Sequence, residues 1–266
     1  MRHWKQIQQQ FWVPSAFVVF LLLWEGGVRL FHVHPGILPP FSMVVERGWQ
    51  SRTLLVSHIT LTLMETLLGF ALAFATAGIL ATLFDCIPLL RRSLFPLLTA
   101  FQSIPKVAFA PILVIWFGHG MLPNVVMAAL VAFFPLLVNI VTGLDSTSEE
   151  LELFMDSLAA SWQKRFLKVR LPSAVPYILS GCRIAMTYAI IGAIVGEFVN
   201  PSRGLGYIMA TAQENFDTSL QFSAILIVSV MGWLLYHSIT LMENIFLRRF
   251  TYGTRAAVSE GLAYGA

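Results

Sequence analysis

Residues 60–84 read TLTLMETLLGFALAFATAGILATLF, and this stretch decides the fold class. A helix needs about 20 mostly apolar residues to cross a bilayer, and Glu65 is the only ionisable residue here. Gly69, Ala73 and Ala77 recur at helical spacing, and small residues in that pattern let membrane helices approach closely. The stretch therefore predicts a transmembrane helix that packs tightly against a neighbour.

The composition of the whole chain agrees with a membrane location. Of its 266 residues 57% are hydrophobic and only 12% are charged, whereas soluble domains carry about 25% charged residues. So little charge excludes a soluble enzyme, a disordered chain and a small secreted module held by disulfides. The net charge of +3 is too small and scattered to indicate a nucleic-acid partner. Cys86 and Cys182 lie far apart without metal-ligand spacing, so we predict neither a metal site nor a redox site.

Other stretches have the length and composition of membrane-spanning helices as well. The predicted spans are 11–31, 60–84, 94–117, 122–143, 175–199 and 222–247. The third is interrupted at Ile104-Pro105, because proline removes a backbone donor. The first follows a basic N-terminus but contains Glu25 and Arg29 and lacks a cleavage site of small residues, so we interpret it as an uncleaved span. We predict an all-α polytopic membrane protein with about six transmembrane helices.

The basic residues indicate which ends of the spans face the cytoplasm, because Lys and Arg concentrate in inner loops. With the N-terminus inside, the inner segments hold 11 of the 17 Lys and Arg residues and the outer segments hold four. We therefore predict that both termini are cytoplasmic.

The longest inner loop, residues 144–171, has an acidic half followed by a basic half. A serine or threonine at 146–148 can cap a helix, and glutamates follow where negative charge suits the helix dipole. Leu158, Trp162, Phe166 and Val169 then recur at spacings of four, four and three, which predicts an apolar stripe on a short helix. Such a stripe lies on the protein's own inner surface or on lipid headgroups, or it docks into a groove of another protein; we favour docking.

Residues 158–172, LAASWQKRFLKVRLP, resemble the cytoplasmic coupling loop of ABC-importer permeases. In that family a turn of small residues precedes an aromatic residue, an aliphatic residue and Leu-Pro. The matching residues are Ala159, Ala160 and Ser161 in the turn, Phe166 and Val169 in the middle, and Leu171 and Pro172 at the end. The family usually has Gly where this chain has Ala159. Because Ala resists the backbone angles that Gly permits, we expect the bend to be made differently here.

Flanking stretches extend the resemblance to roughly residues 35–250. They lie at 38–44, 102–118 and 196–218 and are similar to the branch that imports aliphatic sulfonates, taurine, nitrate and pyrimidine precursors of thiamine. The resemblance implies an N-terminal helix and outer segment over 1–55, a permease domain over 56–247 and a cytoplasmic tail over 248–266.

The resemblance also implies partners and a location. Two copies of the permease would form the pathway in a bacterial inner membrane, two cytosolic ATPases would dock on coupling loops that include Leu158 and Trp162, and an external binding protein would deliver the solute. The sequence contains no G-x-x-x-x-G-K-[ST] motif, which cradles nucleotide phosphates. We therefore expect this chain to bind no cofactor and ATP to be used by a partner chain.

Polar residues inside the spans are candidates for the translocation pathway, because such residues are expensive in a membrane and usually face an interior. The candidates are Gln102 and Ser103 at the break, Asn139 on the fourth span, and Thr187, Tyr188 and Glu197 on the fifth. Hydrogen bonding between helices is the alternative role for each. Lys106 is either a charge selector for an anion or the partner of a carboxylate. Glu25 and Arg29, four residues apart, are predicted to pair.

The sequence favours a thiamine-precursor pyrimidine as the solute, because RIAMTYAIIGAIVGEFV at 183–199 looks most like permeases for such compounds. A sulfonate, taurine or nitrate importer is the alternative. A more distant alternative is a carrier driven by an ion gradient, with Glu65 or Glu197 as its proton site, although both lie near span ends. The sequence has no Ser/His/Asp order, HExxH motif or clustered carboxylate pair, so we do not expect an enzyme.

Overall fold

The computed structural model describes the backbone of residues 2–200 and 202–263, and the side chains of 15–200, 202–243 and 245. Its regular structure over these residues is helical, without a strand. The helices are α1 (Arg2–Leu30), α2 (Phe41–Gln50), α3 (Arg52–Cys86), α4 (Pro88–Phe101), α5 (Ala110–Phe117), α6 (Met121–Asp145), α7 (Glu149–Ser157), α8 (Trp162–Arg165), α9 (Leu171–Val199), α10 (Leu205–Glu214) and α11 (Thr218–Ala263). The all-α prediction is confirmed.

Among the described residues, four helices are long and apolar enough to cross a membrane. They are α3, α6, the continuous helix Trp162–Val199, and residues Thr218–Glu243 of α11. A fifth crossing results if α4 and the segment Lys106–Phe117, which meet at 92°, are counted as one broken span. The predicted break at Ile104-Pro105 lies at this bend. The predicted span 11–31 begins before the described side chains, and the predicted tail 248–266 lies outside them.

The first compact unit contains residues 1–61 and 203–229. Its side chains join segments that are distant in the sequence: Trp24 donates its indole N–H to the Pro39 carbonyl at 3.1 Å. The predicted pair of Arg29 and Glu25 is present, with Nη2 and Oε1 2.5 Å apart. Glu25 also accepts the backbone N–H of Ser42, so this pair anchors the start of α2 beside the end of α1. These contacts order the segment between the first two predicted spans.

The second unit contains residues 62–202 and 230–266 and is built around α6 and α9. The two helices touch through glycine: a Cβ on Gly192 would lie 2.7 Å from the Cα of Ala128, and one on Gly196 would lie 2.9 Å from the Cα of Asn124. Gly69 of α3 has the same role, since its Cβ would lie 2.4 Å from that of Ala128. The close packing predicted from the small residues of 60–84 is therefore confirmed. The fully buried alanines of this core are Ala73, Ala77, Ala81, Ala128, Ala132, Ala174, Ala185, Ala189 and Ala193.

The helix that contains the fifth predicted span begins earlier than the sequence indicated. A π-helical turn, Phe166–Arg170, joins α8 directly to α9, so the helix continues from Trp162 to Val199. In this turn the N–H of Leu171 reaches the carbonyl of Phe166, five residues back. The wider turn accommodates Pro172, which has no N–H to donate, so Leu171-Pro172 starts α9 without interrupting the helix. The predicted span 175–199 is thus the C-terminal part of a longer helix.

Candidate functional site: the inner loop and the polar residues of the spans

The inner loop folds as α7, a tight turn and α8. Ser148 has the extended backbone of an N-cap residue, and α7 begins with the predicted glutamates. The helix ends in two bonds of a Schellman motif, from Ala160 N–H to Met155 O at 3.1 Å and from Ala159 N–H to Asp156 O at 2.9 Å. Ala159 has φ +49°, the left-handed region that favours glycine. The expectation of a different bend was therefore wrong: alanine adopts the glycine conformation because the two bonds hold it there.

The predicted apolar stripe divides between two environments. Phe166 and Val169 are half-buried, and Phe166 packs against the core of the second unit. The Trp162 ring stacks on Phe166, with centroids 5.2 Å apart. Leu158 points to the surface and is 60% exposed. Ala160, Leu171 and Pro172 are half-buried, while Ala159 and Ser161 are exposed.

An exposed apolar patch lies on α7, which sequence reasoning missed. Leu151, Leu153 and Phe154 are 44%, 62% and 58% exposed, and with Leu158 they form what we call the α7 patch. Met155 is the buried residue of α7. The signal was present in LELFM at 151–155, where apolar residues outnumber acidic ones. The stripe from Leu158 to Val169 follows helical spacing more regularly, so the sequence favoured it over this patch as the docking surface.

The acidic and basic halves of the loop pair with each other. Arg165 contacts Asp156 at 2.5 Å and Glu152 at 3.5 Å. Arg170 donates its Nε–H to Glu152 at 2.7 Å and an Nη1–H to Asp85, at the end of α3, at 2.6 Å. These contacts hold α7 against the start of the long helix and the end of α3.

The predicted pathway residues at the break of the third span are exposed. Gln102 and Ser103 lie in the turn between α4 and the 3-10 helix Lys106–Phe109, where the chain bends. The Lys106 ammonium contacts the Gln102 carbonyl at 3.3 Å and lies 5.2 Å from the centroid of the Phe134 ring. The described contacts of Lys106 thus involve a carbonyl and an aromatic face rather than a carboxylate.

The pathway candidates on α6 and α9 have different surroundings. Thr187 and Tyr188 are exposed, and the Thr187 hydroxyl bonds to the Arg183 carbonyl of its own helix. Asn139 is half-buried at the crossing of α6 and α9, where it donates to the Pro135 carbonyl at 2.7 Å and faces Gly181. The structure therefore does not bring these three side chains together with Glu197.

Glu197 is fully buried in a polar cluster between α3, α6 and α9. Its carboxylate accepts the Thr62 hydroxyl at 2.6 Å, and beside it Glu65 accepts the Asn124 amide at 3.0 Å. Asn200 closes the cluster by donating to the Gly120 carbonyl at 2.6 Å. These side chains make hydrogen bonds between helices and present no open surface to a solute.

Long apolar helices, a broken span and a structured inner loop define a polytopic helical membrane protein. Residues 75–252 match the family described as binding-protein-dependent transport system inner membrane component. The chain belongs to this family of ABC-transporter permeases, and its location is the inner membrane that the family description names.

Two relatives extend the match over most of the chain. A formylaminopyrimidine transport permease of Halalkalibacterium halodurans is 35% identical over 87% of this chain and 92% of its own length. A riboflavin transport system permease of Chloroflexus aurantiacus is 38% identical over 89% of both chains. The solved methionine ABC transporter in an inward-facing conformation has a chain that shares the fold, with a TM-score of 0.62 and 18% identity, covering 73% of this chain and 96% of that one.

Proposed function

We propose that this chain is the permease subunit of an ATP-driven importer for a thiamine-precursor pyrimidine or a closely related heteroaromatic solute. The observation that carries this proposal is that two relatives, each matched over most of the chain, are named for transport of a formylaminopyrimidine and of riboflavin. The exposed pathway candidates Gln102, Ser103, Thr187 and Tyr188 are compatible with it. They offer hydrogen bonds and one aromatic ring without a net charge, which suits a neutral ring compound but also a sulfonate.

ATP hydrolysis belongs to a separate subunit that docks on the inner loop. The chain has no phosphate-cradling glycine motif, while its inner loop exposes the α7 patch. Exposed apolar side chains rimmed by charged ones are typical of a protein–protein contact. Two ATPases, a second permease copy and an external binding protein complete the proposed importer, with both termini of the chain in the cytoplasm.

The solute is tested by uptake into right-side-out vesicles that contain the permease and its ATPase, with ATP enclosed and the binding protein added outside; the two partner proteins are sought among the products of the neighbouring genes. We expect ATP-dependent uptake of labelled hydroxymethylpyrimidine and none of labelled taurine. Uptake of taurine alone would establish the sulfonate alternative. Uptake that needs an ion gradient but no ATP would refute the ATP-driven importer and favour the ion-coupled carrier.

The docking role is tested on Phe154, because Phe166 also packs against the core and its substitution would disturb the fold. We expect Phe154→Asp to abolish copurification of the ATPase while the permease still accumulates. Gln163→Asp adds the same charge at another exposed position of the loop and serves as the matched control. Undiminished copurification with Phe154→Asp would refute docking on the α7 patch.

A further inference from the structure

Asp85 is the residue through which the inner loop contacts the end of α3. Its side chain is only 5% exposed although it lies in the last turn of the helix. It accepts the indole N–H of Trp162 at 2.8 Å on one oxygen and the Nη1–H of Arg170 at 2.6 Å on the other. Both acceptor atoms of one carboxylate are thus used by the segment that follows α7.

The two donors to Asp85 are themselves fixed to the loop. Arg170 also donates to Glu152 of α7, so its guanidinium bridges α7 and α3. Trp162 stacks on Phe166, which packs against the core. Because one guanidinium, with its donors in a fixed fork geometry, bonds to Glu152 and Asp85 at once, a displacement of α7 that keeps the Glu152 bond also shifts the group bound to Asp85.

The contacts of Asp85 lie on a different part of the loop from the α7 patch. The side chains of the patch are exposed, whereas the Arg170 and Trp162 contacts face inward to α3. Asp85 is 20 positions from Glu65, which corresponds to about 30 Å along α3. A pull at Asp85 therefore acts on a helix that reaches the buried polar cluster at its other end.

We propose that Asp85 is a positioning residue that couples movement of the inner loop to α3. When α7 is displaced by a docked ATPase, the ion pair with Arg170 and the bond from Trp162 carry α3 along with it. This inference rests on the proposed function, since it requires an ATPase on the α7 patch. Docking of an ATPase by itself would not require α3 to move with α7.

The structure offers a matched control for this role. Asp145, at the end of α6, also pairs with an arginine at the inner side of the second unit, accepting from Nη1 of Arg91 at 2.7 Å. Its hydrogen-bond partner is Arg91 of α4, which also lies close enough to Asp85 and Arg170 to interact with their charges, so this variant removes an aspartate–arginine bond at the same inner side while both donors to Asp85 stay in place. Asp145→Ala is therefore the control for Asp85→Ala.

The experiment measures ATP hydrolysis and solute uptake together in vesicles that contain the complete transporter. The probe is whichever of labelled hydroxymethylpyrimidine and labelled taurine the wild-type transporter takes up. For Asp85→Ala we expect unchanged ATPase copurification and a ratio of solute imported to ATP hydrolysed that falls about tenfold, in the range of coupling energies between sites. Asp145→Ala should keep the wild-type ratio.

Asp85→Asn keeps the shape and one acceptor oxygen, so its ratio should fall less than that of Asp85→Ala, and it provides the test if the alanine variant does not accumulate. A wild-type ratio in both Asp85 variants would overturn the proposal. Loss of ATPase copurification in the Asp85 variants would also overturn it, because Asp85 would then support the docking surface itself. If the wild-type transporter takes up neither probe with ATP, the proposed function fails, which is a different result.

Discussion

Replacing Gly192 by alanine tests whether the contact between α6 and α9 depends on the absence of a side chain. The added Cβ would lie 2.7 Å from the Cα of Ala128 and 2.8 Å from the carbonyl oxygen of Met127. Both opposing atoms belong to the backbone, so no side chain can rotate away. Restoring ordinary contact at 3.4 Å requires the helices to separate by about 0.7 Å.

The expected loss in the free energy of unfolding is the difference between two opposing contributions. Overpacking of this kind costs up to about 3 kcal/mol, and the upper value applies because backbone atoms oppose the new group. Alanine regains about 1 kcal/mol of helix propensity over glycine. The net loss of about 2 kcal/mol corresponds to a melting temperature lower by about 4 to 8 °C for a chain of this size.

The assay is thermal unfolding of the purified protein in detergent, followed by tryptophan fluorescence. Gly78→Ala in α3 is the control, because a Cβ at Gly78 would meet nothing within 4 Å. It should leave the melting temperature unchanged or raise it slightly. A Gly192→Ala variant that melts at or above the wild-type temperature would refute the reasoning that the glycine makes the contact possible.

Substitutions at two further positions should also alter stability. Ala159→Gly removes the strain of alanine at φ +49° and should raise the melting temperature by about 2 to 4 °C, whereas Ala159→Val should lower it; the opposite order in thermal unfolding would contradict the role of the turn. Thr62→Val removes a hydroxyl that donates to the buried Glu197, so it should destabilise the protein by about 1 to 3 kcal/mol. Thr76→Val is its control, because the Thr76 hydroxyl is exposed and bonds to carbonyls of its own helix. If the two valine substitutions lower the melting temperature equally, the buried bond from Thr62 to Glu197 does not contribute the predicted stability.

The features that the sequence predicted correctly are local ones. The apolar lengths of 60–84, 122–143 and 222–247 indicated spans, since the thickness of the bilayer sets the length of a helix. Pro105 indicated the break because a missing N–H acts within one helical turn. The pair of Glu25 and Arg29 followed from helical geometry alone.

The features that could not be predicted depend on contacts between helices. The sequence placed Thr187 and Glu197 on the same predicted span, but it could not show which neighbouring helix each side chain meets. The structure leaves Thr187 exposed and encloses Glu197, because Gly196 brings Asn124 of α6 against the outer part of α9. The backbone conformation of Ala159 could not be predicted for a similar reason, since the two bonds that close the turn outweigh the preference of alanine for negative φ.

The glycine contacts between α6 and α9 also determine whether water or ions can pass between these two helices. Where backbone meets backbone, no side chain can swing aside to admit a water molecule, so in this structure the joint leaves no path for ions or water between the two helices. A solute cannot pass between these two helices. We therefore expect a transported solute to pass along an outer face of the pair, with this chain as one wall of the pathway.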